Sequence, residues 1–313
     1  MPFRVPSLTG EEIRRLTQGS FQNAVAGVLN LLFGTKVTPW EVECCIGRYP
    51  VRLGYLDRKT LVAELWHNPQ EDLSWLLSSV AVLLGTEDNV QKEGNWVSVG
   101  IRMALLSGVC SLLRSEGWLP ETDNVDLAVT SGDFSSVMSI WYAKQLGLPI
   151  GKVICCCNDD GALWELVYQG QLRTDRITRR TNTPQSDGYL PVGLERLIYE
   201  CGGAREVEAY LDASRSGGMY CPQDRTLERM RATLQVSVVG QKRVEETVPS
   251  VYSSSGYVLS PYSALCFAGL QDRRAISGER RLALVMADRS PMQDADFTAA
   301  ALGISVNDLK QNS

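Results

Sequence analysis

Apolar residues recur at helical spacing in two long stretches of the chain. Phe21, Val25, Val28, Leu29 and Leu32 fall on one face of a helix over residues 21–33. Val99, Met103, Leu106, Cys110 and Leu113 do the same over residues 96–113, and the pattern stops at Gly117. Ahead of the first helix, Thr9 with Glu12 three residues on has the form of a capping box. Residues 51–53 and 61–65 read as short strands, separated by the polar turn Asp57-Arg58-Lys59. The very apolar run over residues 75–84 predicts a buried helix, the alternative being a face turned toward a partner or a second copy of the chain.

The middle of the chain carries the most informative pattern. Residues 125–129 predict a strand, Ser131 to Phe134 a tight turn, residues 135–146 a helix and residues 152–157 a second strand. This is a βαβ unit. Its crossover puts the turn at the carboxyl end of the first strand and beneath a helix N-terminus, where open α/β sheets place ligands and backbone N–H groups can hold an anion. Helices are expected around residues 161–168, 194–200, 206–214 and 226–234, a corner at 257–261 and a last core strand at 282–287. The segment Asn158-Asp159-Asp160-Gly161 reads as a strand-to-helix turn with a capping acid. No internal repeat or low-complexity linker interrupts the pattern, so one compact α/β body is expected.

Composition narrows the functional classes. A net charge of -5 with interspersed signs supplies no basic footprint for nucleic acid. No apolar run calls for a bilayer, and Met1 to Pro6 has no signal or transit pattern, so the expected location is the cytoplasm. The nine cysteines include Cys44-Cys45 and Cys155-Cys156-Cys157. Neighbours on a strand point to opposite faces and cannot form a normal bridge, so core packing in a reduced compartment is the expectation. With His67 the sole histidine and no CxxC spacing, no metal site is expected. That histidine lies beside no Gly-x-Ser-x-Gly elbow, which sets a serine hydrolase aside.

Six segments, in chain order, resemble threonine synthase of the longer, yeast and bacterial type. Leu65-Trp66-His67-Asn68-Pro69 resembles that family's Leu-Phe-His-Gly-Pro, and Thr130-Ser131-Gly132-Asp133-Phe134 its Pro-Ser-Gly-Asn-Phe phosphate loop. Residues 142–150 are similar to the family's segment just after that loop, residues 193–200 to its Asn-Phe-Glu-Arg segment, and residues 256–264 to its Gly-Tyr-Leu-Asp-Pro-His-Thr-Ala corner. Residues 284–291 are similar to its last strand. The resemblance implies the three-layer α/β large domain of pyridoxal-phosphate fold type II. It also implies a reaction in which O-phosphohomoserine loses phosphate and regains water as threonine. The cleft implied by the same alignment takes Ser131, Gly132, Asp133, Phe134, Ser135, Ser136 and Asp288 on the cofactor side and His67 and Asn95 on the substrate side.

The departures from the family concern that cleft. Counted from His67, Ser74 stands where the family has the lysine that forms the cofactor imine, and a hydroxyl cannot form one. Only a short stretch, residues 75–95, stands in place of the family's small mobile domain, so most of that domain is expected to be deleted. The remaining divisions are an N-terminal helical and short-strand region over 1–74 and a large α/β domain over 96–313. Asp133 replaces an asparagine in the phosphate loop, where at ~4 Å and an effective dielectric near ~20 a like-charge pair costs ~4 kcal/mol. Ser135-Ser136 replace Gly-Asp, and Asp288 replaces the residue facing the pyridine nitrogen.

A catalytically degenerate homologue is therefore expected. It would bind no cofactor and would serve as a scaffold for a protein partner, a small amino-acid-like ligand or a second copy of the chain. The alternative is an active pyridoxal-phosphate-dependent threonine synthase or related lyase in which another lysine, with Lys92 nearest in the alignment, takes the place of Ser74.

Overall fold

The computed structural model describes residues 5–86, 95–132, 134–177, 180–187, 192–278 and 281–312. Two compact units make up the chain, each from separate stretches of sequence. The first takes Met1–Leu127, Met138–Gly151 and Arg281–Ser290, and the second takes Ala128–Val137, Lys152–Arg280 and Pro291–Ser313.

In chain order the elements are α1 (Gly10–Thr17), α2 (Phe21–Phe33), α3 (Pro39–Ile46), β1 (Arg52–Asp57), β2 (Thr60–Glu64), α4 (Leu73–Leu83), α5 (Trp96–Ser115), β3 (Val125–Thr130), α6 (Phe134–Leu146) and β4 (Ile150–Cys157). Next come the short α7 (Ala162–Trp164) running into a π-helical turn (Glu165–Gln169), then β5 (Leu172–Arg173), α8 (Leu194–Gly202), α9 (Ala204–Ser216), β6 (Met219–Tyr220), α10 (Asp224–Thr233) and β7 (Gln235–Val238). The chain closes with α11 (Gln241–Ser255), α12 (Pro261–Ser277), β8 (Ala283–Ala287), α13 (Ala295–Leu302) and α14 (Val306–Asn312).

A six-stranded sheet runs in the order β1-β2-β8-β3-β4-β7, and β5 pairs with β6 separately. The β1–β2 hairpin is antiparallel, whereas β2 with β8 and β4 with β7 are parallel. The hairpin register sets Arg52 opposite Glu64, and the guanidinium donates to both oxygens of that fully buried carboxylate at 2.8 and 3.2 Å. Strands β2 and β8 are buried along their whole length, as a sheet covered on both faces requires.

In the first unit the capping box at Thr9 and Glu12 forms as expected, and a second one starts α3 at Thr38 and Glu41. Helices α2 and α5 pack closely because α5 carries glycine where phenylalanines of α2 approach. A Cβ on Gly100 would lie 2.5 Å from Phe33 Cζ, and one on Gly108 2.7 Å from Phe21 Cδ2. By length and composition α5 could cross a bilayer, but 78% of its apolar window is buried inside the protein, as in a core helix. The apolar run at 75–84 belongs to α4, which buries Leu73, Leu76, Leu77, Val80 and Ala81 and leaves Val82 exposed.

In the second unit the cysteine triplet is core. Cys155, Cys156 and Cys157 are buried and unbridged, and a Cβ on Gly269 of α12 would meet Cys156 Sγ at 2.6 Å. A hydrogen bond with Cys266, then burial, push the Cys156 thiol well above its usual range, which makes it a poor nucleophile.

Candidate functional site

The chain leaves β2 through a turn at residues 65–72 that is locked to the end of β8. Leu65 N–H donates to the Ala287 carbonyl at 3.0 Å, Leu73 N–H to Asp288 O at 2.9 Å and Ser290 N–H to Glu71 O at 3.1 Å. Asp72 and Arg289 form an isolated antiparallel bridge. Inside the turn, Asn68 Nδ2 donates to Leu65 O and Asp72 O at 3.2 and 2.9 Å, replacing ladder bonds by side-chain bonds. Glu71 takes a left-handed conformation with φ 53°, an unusual one for a residue bearing a side chain.

Four of the expected cleft residues lie on this side of the fold. Ser74 is half-buried in the first turn of α4, and its N–H is capped by Asp72 Oδ1 at 2.6 Å. Asn95 caps α5, its Oδ1 accepting from Val97 N–H at 2.7 Å. His67 is an exposed turn residue whose N–H donates to Glu64 O at 3.2 Å. Asp288 follows β8 and lies 3.8 Å from Arg102 Nη1, with the two side chains 33% and 14% exposed. Asp288 and Ser74 thus belong to segments that are bonded to each other, through Leu73 and the Asp72–Arg289 bridge.

Amines lie elsewhere among the described residues of this unit. Lys36 is exposed between α2 and α3. Lys59 sits in the β1–β2 turn, where its carbonyl accepts from Ala283 N–H at the amino end of β8. Lys144 ends α6 and donates to the Gly151 carbonyl near the start of β4, and burial holds its amine below the usual lysine range. The five residues of β2 or β8 separate amino from carboxyl ends by ~17 Å. Lys59 and Lys144 are therefore at the wrong ends of the strands to stand in for Ser74. Lys92 falls outside the described residues.

The phosphate-loop residues belong to the second unit. Ser131, Phe134, Ser135 and Ser136 are all buried, and Ser131 N–H donates to Cys156 O at 3.0 Å. Asp133 falls outside the described residues. On Gly132, a Cβ would come within 2.4 Å of the Gln185 carbonyl oxygen and 2.9 Å of Ser186 Oγ. The side of Gly132 where a side chain would project is thus filled by the segment at 181–187. Gly193 packs on the start of α6, where its Cβ would meet Phe134 Cβ at 3.6 Å.

A buried polar network that sequence reading missed holds that segment in place. Asn158 Nδ2 lies within 2.7 Å of Asp187 Oδ1, 3.0 Å of Thr181 Oγ1 and 3.2 Å of Thr183 Oγ1. Asp187 also accepts from Thr181 N–H at 2.7 Å and from the Thr181 hydroxyl. The turn after β4 differs from expectation in one respect. Asp160 N–H bonds back to Asn158 Oδ1, but α7 has no side-chain cap, and Asp159 instead accepts from Gln241 N–H at the start of α11.

No family model matches the chain. In sequence it is similar to the threonine synthase of Pseudomonas aeruginosa, 25% identical over 157 residues that make up 49% of this chain and 33% of that protein. Human threonine synthase-like 1 is 26% identical over 158 residues, 49% of this chain and 21% of that one. The match thus spans a third or less of these relatives' own length. In structure the chain is similar to PLP-bound threonine synthase from Brucella melitensis, with a TM-score of 0.81 at 18% identity over 97% of this chain and 85% of that one. Yeast threonine synthase superposes with a TM-score of 0.82 at 14% identity, covering 97% of this chain and 84% of its own. Over about half its length the chain is thus similar in sequence to threonine synthases, and it carries the α/β architecture of pyridoxal-phosphate fold type II seen in the solved threonine synthases.

Proposed function

We propose that this homologue has lost the imine chemistry of its relatives and acts as a scaffold that binds a protein partner or a small amino-acid-like ligand. The observation that carries this reading is Ser74 in the first turn of α4, held by its Asp72 cap. At the position that the alignment gives to the cofactor lysine there is a hydroxyl, which forms no imine with an aldehyde. Lys59 and Lys144 are a strand length away. The residues present therefore do not fit covalently bound pyridoxal phosphate. At Gly132 the space on the side-chain face of the loop is already taken by the Gln185 carbonyl and the Ser186 hydroxyl.

The test is to add pyridoxal phosphate to the purified protein, record its absorbance, reduce with borohydride and map labelled lysines by mass spectrometry. No imine band and no label are expected. A single stoichiometrically labelled lysine, Lys92 above all, would instead establish the enzyme reading and overturn this one.

A further inference from the structure

The first unit carries a cavity of about 350 Å³ between the turn that joins α1 to α2 and the end of α5. Thr17 stands on one wall and Arg114 and Ser115 of α5 on the other, with Leu119 and Pro120 adding apolar surface. The two walls are tied together by Ser111, whose hydroxyl donates to the Gly19 carbonyl at 2.9 Å. Cavities of this size hold small organic molecules.

The charge of Arg114 selects the ligand. Its half-buried guanidinium donates to the Thr17 hydroxyl. That hydroxyl gives its own proton to the Ile13 carbonyl at 2.8 Å, so its oxygen is left to accept and holds the arginine in place. Arg114 Nε is buried with no hydrogen-bond partner, and among the described residues no carboxylate pairs with the guanidinium. Neutralising the end of α5 does not account for this cation, because the chain caps that helix itself. Glu116, Gly117 and Trp118 N–H groups donate to the carbonyls of Leu112, Arg114 and Leu113 at 3.0, 3.0 and 2.9 Å. Glu121, a carboxylate on the cavity wall, is 60% exposed and lies 3.5 Å from Arg14 Nε, so that pair adds no net charge. One positive charge is left in excess, partly withdrawn from water. Partly buried charges are weakly screened, and a guanidinium matches a carboxylate in shape as well as in charge. A single excess charge with Glu121 nearby suits a monoanion and works against a dianion.

We propose that this cavity binds a small organic monocarboxylate, with the carboxylate at Arg114 and a short apolar chain against Leu119 and Pro120. The site lies apart from the cleft implied by the alignment. Helix α5 has 20 residues, so ~30 Å separates Asn95 at its start from Arg114 near its end. Binding here does not depend on whether the chain forms a cofactor imine.

The test is calorimetric titration of the intact chain with butyrate, with butylamine and inorganic phosphate as the comparison probes. Saturable butyrate binding at one site is expected, weakened by added salt, with no butylamine binding and weaker phosphate binding. Arg114→Gln removes the charge, and Ser115→Glu places a competing carboxylate in the cavity from an exposed position. Each should weaken butyrate by at least about tenfold. The proposal is overturned if wild-type protein shows no saturable butyrate binding, if butylamine binds as tightly or phosphate more tightly, or if either folded variant binds butyrate as tightly as wild type. Should Arg114→Gln lose its native circular dichroism, Ser115→Glu decides.

Discussion

Two residues show how differently single positions yield to sequence reading. Ser74 is legible because it lies a fixed count from His67 in a continuous motif, and it sits half-buried in the first turn of α4, where its N–H is capped by Asp72. Asp187 was not legible. Its partner Asn158 lies 29 residues away, and asparagine, threonine and aspartate in a polar stretch read equally well as turn residues. Once the fold gathers them, the carboxylate is the acceptor for an asparagine amide, a threonine hydroxyl and a backbone N–H in a buried site. Asp187→Ala removes all three acceptor contacts and leaves buried donors unpaired, so it should destabilise the protein by about 2–4 kcal/mol, read from the urea midpoint. A loss below about 0.5 kcal/mol would mean that the network is not needed to hold the 181–187 segment.

At the scale of elements, periodicity located α2, α5 and the βαβ unit, whose apolar faces are long enough to repeat. It missed β7, α11 and α12. Strand β7 has only four residues, too few to show alternation. Helix α11 carries Pro249 in its interior, a strong local signal against the helix that tertiary packing of Val244, Val248 and Val251 overrides. The start of α12 at Ser260-Pro261 reads as a corner, although a capping serine followed by proline at the first helical position is also a helix start. Packing between α2 and α5 supports a paired prediction. Gly108→Ala would press a methyl group against the buried Phe21 ring at 2.7–2.8 Å and should cost about 1–3 kcal/mol, outweighing the better helix propensity. Gly10→Ala, with nothing within 4 Å of the new Cβ, should be neutral or mildly stabilising. Thermal unfolding of the two variants checks both, and equal effects would refute the close α2–α5 approach.

At the scale of the whole molecule, the similarity to threonine synthase and the proposed loss of the imine make a combined prediction. A ligand that binds the native state raises the unfolding temperature in proportion to RT ln(1 + [L]/Kd). Pyridoxal phosphate at concentrations that saturate an ordinary cofactor enzyme should leave the melting temperature of this chain unchanged, and a rise of several degrees would show retained cofactor binding even without an imine. Sequence alone determined the α/β class, the resemblance to threonine synthase, the positions of the main helices and the βαβ core, and the serine at the lysine position. Each of these depends on local periodicity or on a short continuous motif. Only the tertiary structure decided that β8, last of the strands in sequence, lies between β2 and β3. The same holds for the segment at 181–187 closing on Gly132, for the placing of Lys59 and Lys144 at the amino ends of strands, and for the cavity beside Arg114. Those features come from contacts between residues far apart in the chain, whose side chains acquire a common environment only when burial of the apolar faces brings them together.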